Sequence, residues 1–148
     1  MGTINGVLLT PLKIIAGDNG GVMHALKNNE PSFAGFGEAY FSTVNKGAVK
    51  GWKRHREMIL NITVPSGCIR FVLFDDREDS ITKGTIQEIT ISPKNYQRLT
   101  VPPGIWMAFQ GVDEYNMLLN IASIPHNPAE ADSLPIQNEH IPFSGFAS

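Results

Sequence analysis

Apolar residues fall in short bursts separated by turn residues: EAYFSTV at 38–44, MILNITV at 58–64, CIRFVLF at 68–74, TIQEITI at 85–91, QRLTV at 97–101, IWMAF at 105–109 and NMLLNIA at 116–122. Runs of this length, rich in β-branched and aromatic residues and spaced roughly ten residues apart, predict an antiparallel sandwich or barrel of short strands. Pro65-Ser66-Gly67 and Pro102-Pro103-Gly104 each separate two such runs. Proline presets one backbone angle and glycine supplies conformations that other residues avoid, so both tripeptides read as turns. The one helix candidate is GVMHALKN at 21–28, within a short N-terminal helical or loop segment. IPHNPAEADSLPIQNEHIPFSGF at 124–146 holds four prolines and no clean periodicity. It reads as an extended C-terminal tail packed over the barrel wall.

With 148 residues, the chain is expected to form a single domain over 1–148, with the barrel spanning roughly 36–124. Its 42% hydrophobic and 18% charged residues fit a globular protein. A net charge of −2 argues against a nucleic-acid partner, because phosphate contacts call for a basic surface. No apolar run approaches the roughly 18 residues of a membrane span, and Pro11 and Lys13 interrupt GVLLTPLKII before a signal core forms. The lone Cys68 sits in an apolar run as a small core residue, with no second cysteine to pair with. Together these features point to a cytoplasmic protein.

The stretch VKGWKRHREM at 49–58 concentrates charge in a chain that is otherwise nearly neutral. In a strand, Lys53 and His55 point to one side while Trp52 and Arg54 point to the other. Two readings follow. The stretch is either an edge strand whose Lys and Arg residues guard it against pairing with other chains, or the working edge of a small-molecule site. In the second reading His55 is the natural proton carrier near neutral pH, and Lys53 acts as a base or nucleophile or binds phosphate as a cation. Asn61 and Asn120, polar residues inside apolar strands, need either backbone partners or a ligand. Trp106 either stacks a base or sugar or belongs to the core. His24, His126 and His140 read as surface histidines.

The order of the strands and two turn motifs resembles the cupins, double-stranded β-helices of the jelly-roll type. The frame Gly47, Lys53, His55, Leu60, Gly67 keeps the spacing of the first cupin motif but only one of its metal ligands, and Met107 stands where the second motif places a His. One imidazole cannot replace a set of three His and one carboxylate, so no metal and no cofactor is expected.

Within the cupins, the chain resembles the dTDP-4-dehydrorhamnose 3,5-epimerase family over roughly residues 14–132. The motifs that carry the resemblance are Asp75-x-Arg77-x-x-Ser80-x-Thr82-x-Gly84, Val101-Pro102-Pro103-Gly104 followed by Phe109, Lys50-Gly51-Trp52-Lys53, and Asp18-x-x-Gly21. Carried over by position, the family's base His falls on Lys53, its enolate-stabilising Lys on Leu60, its acid Tyr on Asn120 and its substrate-contacting His on Met107. Gly20 stands where the family has a phosphate-contacting Arg. The Asp that orients the base comes from a C-terminal segment with no counterpart in residues 1–148.

The resemblance implies an isomerase or epimerase of a nucleotide-linked 4-keto-6-deoxy sugar, working in surface-polysaccharide or glycoside synthesis and assembled as a homodimer. In that reading Lys53 and His55 are catalytic, and Lys50, Asn61, Trp106, Met107 and Asn120 bind the substrate. Tyr40, Tyr96 and Tyr115 are the phenols available as an acid. The alternative is a non-catalytic cupin that binds a sugar or nucleotide sugar.

Overall fold

The computed structural model describes residues 2–146. Two five-stranded sheets carry the fold, and every strand pairing in them is antiparallel. The first runs in the order β1 (Leu8–Pro11), β9 (Gln97–Val101), β6 (Leu60–Ser66), β11 (Met117–Ala122) and β4 (Glu38–Thr43). The second runs β12 (Ala131–Ser133), β5 (Val49–His55), β10 (Ile105–Gly111), β7 (Ile69–Asp75) and β8 (Ile86–Ile91). From β4 to β7 and from β9 to β12 successive strands alternate between the two sheets, while β7 and β8 are neighbours in one, which gives the jelly roll of a double-stranded β-helix.

Alternation along the strands places the core. Leu60, Ile62 and Val64 of β6 and Leu118 of β11 meet Ile69, Phe71 and Leu73 of β7 and Ile105 of β10 between the sheets. Strand β7 is apolar on its other face too: Val72 and Phe74 join Trp52, Trp106 and Ala108 in a second cluster on the outer side of its sheet. A strand buried on both faces reads as a continuous apolar run, which is why CIRFVLF shows no alternation.

The C-terminal segment closes the second cluster. Leu134, Ile136, Ile141, Phe143 and Phe146 pack on it, and the Trp52 indole donates to the carbonyl of Ile136 at 3.2 Å. This is the tail over the wall that its prolines predict, with two regular pieces in it: a short 3-10 turn (Pro128–Glu130) and β12, which pairs with β5. The helix expected at 21–28 does not form. Strand β3 (Gly20–Met23) instead pairs with β2 (Ile14–Gly17) in a hairpin closed at Asp18-Asn19, and Gly20 takes a φ of +135°. Local hairpin pairing prevails over a helix too short to be stable alone.

The pairing of β5 also decides between the two readings of the charged stretch. With β12 on one side and β10 on the other, β5 is not an edge strand. Its outward Arg54 pairs with Asp132 of β12 at 2.9 Å and with Asp76 after β7 at 3.5 Å, its guanidinium lies 4.6 Å from the centre of the Trp106 ring, and Arg56, just past β5, also pairs with Asp132.

Candidate active site

A pocket of about 640 Å³ opens between the two sheets, and period-2 alternation selects its lining from each strand. The first sheet contributes Glu38, Tyr40 and Ser42 of β4, Leu60 and Ile62 of β6, and Leu118 and Asn120 of β11. Facing them from the second sheet are Ile105, Met107 and Phe109 of β10, with Lys50, Gly51, Lys53 and His55 of β5. His126, in the segment after β11, sits at the rim.

His55 carries the best-defined geometry. Its Nδ1 lies 2.6 Å from Oε1 of Glu130. The other oxygen, Oε2, accepts the backbone N–H groups of Arg56 at 3.1 Å and of Glu57 and Met58 at 2.9 Å each. Burial of Glu130 pushes its pKa up, but the hydrogen bonds from His55 and from the Glu57 and Met58 amides outweigh burial and hold it at about 2. An ionised carboxylate only accepts hydrogen bonds, so it fixes the ring with a proton on Nδ1, and Nε2 of the neutral ring is left with a free lone pair.

The chain brings these residues together by strand pairing: Ala131 of β12 is registered opposite His55, so the preceding Glu130 reaches round the end of β5. Because its folded-state pKa is depressed, Glu130 contributes stability above its unfolded value of about 4.3, and this is lost as pH falls toward 2. Glu130→Gln is expected to lower unfolding stability by roughly 2–4 kcal/mol at pH 7. Urea denaturation of both proteins at pH 7, 4 and 3 should show that difference shrinking on acidification.

Two lysines share the wall with His55. Lys50 donates from Nζ to the Ser42 hydroxyl at 3.1 Å, linking β5 to β4. No hydrogen bond or ion pair is made by the Lys53 ammonium among the described residues, so it stands in the pocket as an uncompensated cation. Both lysines face inward because the pairing of β5 with β10 shifts register between Met107↔Lys53 and Phe109↔Lys50. The shift needs Gly51: its φ is +124°, and a Cβ there would lie 2.7 Å from both the Ala108 Cα and the Met107 carbonyl.

On the opposite wall Asn120 and Tyr40 are directly paired across β11 and β4, and Asn120 Nδ2 donates to the Tyr40 hydroxyl at 3.0 Å. His126, which reads as a surface histidine in the sequence, is drawn to the rim, where its backbone N–H donates to Glu38 at 2.9 Å.

Of the residues singled out from the sequence, Lys50, Lys53, His55, Met107 and Asn120 therefore line one pocket, and Asn61 and Trp106 do not. Alternation is the reason in both cases. Asn61 lies between the inward Leu60 and Ile62, and its amide is satisfied on the far side by the Ser32 carbonyl at 3.0 Å and the Thr100 hydroxyl at 2.6 Å. Trp106 lies between the inward Ile105 and Met107 and is buried beneath the tail. Sequence reasoning missed Glu130, which sits in a stretch that reads as irregular tail. Among the described residues no three His, Cys, Asp or Glu side chains converge on a metal position, and no helix is long and apolar enough to cross a membrane.

The sequence profile of dTDP-4-dehydrorhamnose 3,5-epimerase matches residues 2–144. The chain belongs to the dTDP-4-dehydrorhamnose 3,5-epimerase family. It is 28% identical over 146 residues to the probable low-salt glycan biosynthesis epimerase Agl13 of Haloferax volcanii, covering 97% of this chain and 90% of that protein. It is 26% identical to the spore coat polysaccharide biosynthesis protein SpsL of Bacillus subtilis, covering 95% of each. The crystal structure of a dTDP sugar isomerase from Desulfovibrio desulfuricans G20 superposes with a TM-score of 0.92 at 40% identity, covering 95% of this chain and 91% of that one.

Lys53 and His55 share one face of β5, and His55 has a carboxylate partner in Glu130. The carboxylate that touches His55 is Glu130, delivered by the turn before β12.

Proposed function

We propose that the protein is an isomerase or epimerase of a nucleotide-linked 4-keto-6-deoxy sugar, in a pathway to a surface polysaccharide or glycan. The observation that carries this reading is the His55–Glu130 pair at the pocket edge. The general base for removing a proton beside a ketone must present a nitrogen lone pair, and Glu130 selects the tautomer of the neutral His55 ring in which that nitrogen is Nε2. As the Cα–H bond breaks, its electron pair moves onto the ketone oxygen as an enolate. The unpaired ammonium of Lys53, on the same wall, is the cation available to that charge. Apolar residues at the floor, Leu60, Ile62, Met107 and Leu118, exclude water and strengthen both interactions.

The test is proton NMR of the purified protein with dTDP-4-keto-6-deoxyglucose in D₂O. Loss of the H3 or H5 signal faster than in a protein-free control supports the reading. Persistence of both signals with ligand line-broadening would make the protein a binder without catalysis. If neither occurs, this sugar nucleotide is the wrong ligand.

Two further parts belong to this proposal. The reaction is cytoplasmic, which accords with an unpaired Cys68. The protein works as a homodimer: the β2–β3 hairpin pairs only with itself among the described strands, yet it exposes Ile14, Ile15 and Val22, and Leu8 and Leu9 of β1 are exposed as well. An isolated two-stranded hairpin is marginal in water, and a second copy covering these side chains would support it. Sedimentation at micromolar concentration is expected to give twice the chain mass. A monomer there would contradict this assembly.

A further inference from the structure

Inverting a carbon beside a ketone needs a proton removed from one face and another delivered to the opposite face. The β5 wall supplies the first half. We infer that Tyr40 supplies the second: its phenol, held by Asn120 on the facing wall, is the proton donor that returns a hydrogen to the enolate on the side away from His55. This assignment rests on the isomerase reading above and specifies the other half of its chemistry.

Four observations carry it. Tyr40 is the tyrosine among the pocket-lining residues. Tyr96 is spent elsewhere, buried and donating to the His24 carbonyl at 2.7 Å, while Tyr115 is exposed outside the pocket. Tyr40 and His55 project from different sheets into the same space, the placement that a two-face reaction requires. The Tyr40 oxygen accepts from Asn120 Nδ2, and an oxygen engaged as acceptor keeps its own proton to give. Asn120 is fully buried in the centre of β11 and paired with Tyr40 in the strand register, so it sets the phenol's position through the sheet.

Among the described residues the Asn120 Oδ1 atom has no hydrogen-bond partner, and the side-chain amide contacts Tyr40 through Nδ2. The phenol comes from strand β4, next to β11, and its hydroxyl is bound to the Asn120 side chain.

The step balances. The carbon–hydrogen bond breaks to His55 Nε2 and leaves an enolate; a new carbon–hydrogen bond forms with the Tyr40 proton, leaving a phenolate. Exchange with solvent takes the proton from the imidazolium and returns one to the phenolate, with no net redox change.

The experiment separates the two halves by following the same sugar nucleotide in D₂O with wild type, Tyr40→Phe and Asn120→Ala. One signal is deuterium uptake into recovered substrate, which needs only the base. The other is formation of the inverted product, which needs both groups. Tyr40→Phe is expected to form product about 10²-fold or more slowly, while deuterium continues to enter unreacted substrate because His55 reprotonates the enolate on its own face. In Asn120→Ala the ratio of uptake to inversion should shift the same way by a smaller factor, a change that loss of folded protein would not produce since it lowers both signals together.

Wild-type product formation in Tyr40→Phe would overturn the assignment of Tyr40. So would equal loss of both signals in Tyr40→Phe with an unchanged unfolding midpoint, since the phenol would then serve enolisation rather than delivery. Absence of deuterium uptake in the wild type would instead remove the isomerase reading on which the assignment stands.

Discussion

Replacing His55 with asparagine is expected to slow deuterium uptake at the carbon beside the ketone by about 10²- to 10⁴-fold, the range over which a positioned general base accelerates proton transfer. Among the pocket-lining side chains of that wall, His55 is the one imidazole, and its orientation is fixed because the Glu130 carboxylate, held at about pKa 2, grips its Nδ1 from behind. Glu130 keeps its three backbone donors in the variant, so the fold is expected to survive. Lys53→Met provides the contrast: it removes charge stabilisation and leaves the base, so uptake should fall with the histidine still able to start the reaction. Uptake at the wild-type rate in His55→Asn together with its abolition in Lys53→Met would move the base to Lys53.

The second large effect is on stability. Asp75→Ala is expected to cost about 3–5 kcal/mol, the range for removing one partner of a buried ion pair, out of the roughly 5–15 kcal/mol that holds a domain folded. The Asp75 side chain is fully buried. Its carboxylate accepts from Arg77 Nε at 2.9 Å and Nη2 at 3.0 Å, from Ser80 Oγ at 2.5 Å and from Thr82 Oγ1 at 2.6 Å. Burial pushes its pKa up, but these bonds win and hold it far below the usual carboxylate range. The lock also fastens the N-terminal segment, because Arg77 donates to the Asn5 carbonyl at 2.5 Å and Asn5 donates to Thr82 at 3.0 Å. Urea denaturation at pH 7 would show the loss as a lowered midpoint. Deuterium uptake by the protein that remains folded should be unchanged, because none of these residues lines the pocket. The depressed pKa means that the wild type itself loses this contribution as pH falls below about 4.

This lock explains why the Asp75-to-Gly84 motif is the clearest family signal in the chain and yet says nothing about chemistry. Its residue types are dictated by a short turn between β7 and β8 that must satisfy a buried carboxylate within itself: Gly84 donates to the Asp75 carbonyl at 2.7 Å and Asp75 to that of Thr85 at 3.0 Å. Every partner except Asn5 lies within ten residues, so the pattern is readable along the sequence.

Much of the pocket is readable for the same reason. Once a run is recognised as a strand, alternation assigns its faces. It places Lys53 with His55 and sets Trp52 and Arg54 behind them, and the same rule assigns Met107 and Asn120 inward. The same rule turns Asn61 and Trp106 away from the pocket, because their neighbours Leu60, Ile62, Ile105 and Met107 face it. The helix expected at 21–28 failed because eight residues of mixed pattern carry less information than a two-residue turn that closes a hairpin.

By itself, then, the sequence determined the strands, the turns at Pro65-Ser66-Gly67 and Pro102-Pro103-Gly104, the buried lock at Asp75 and the face on which His55 lies, because each depends on residues close together in the chain. Tertiary structure alone decided which groups meet. Glu130 lies 75 positions from His55 and Asn120 lies 80 from Tyr40. Both pairings are set by sheet register, β12 against β5 and β11 against β4. Register follows from the packing of whole sheets around a shared core, and a hydrogen bond between strands leaves no periodic trace in either one.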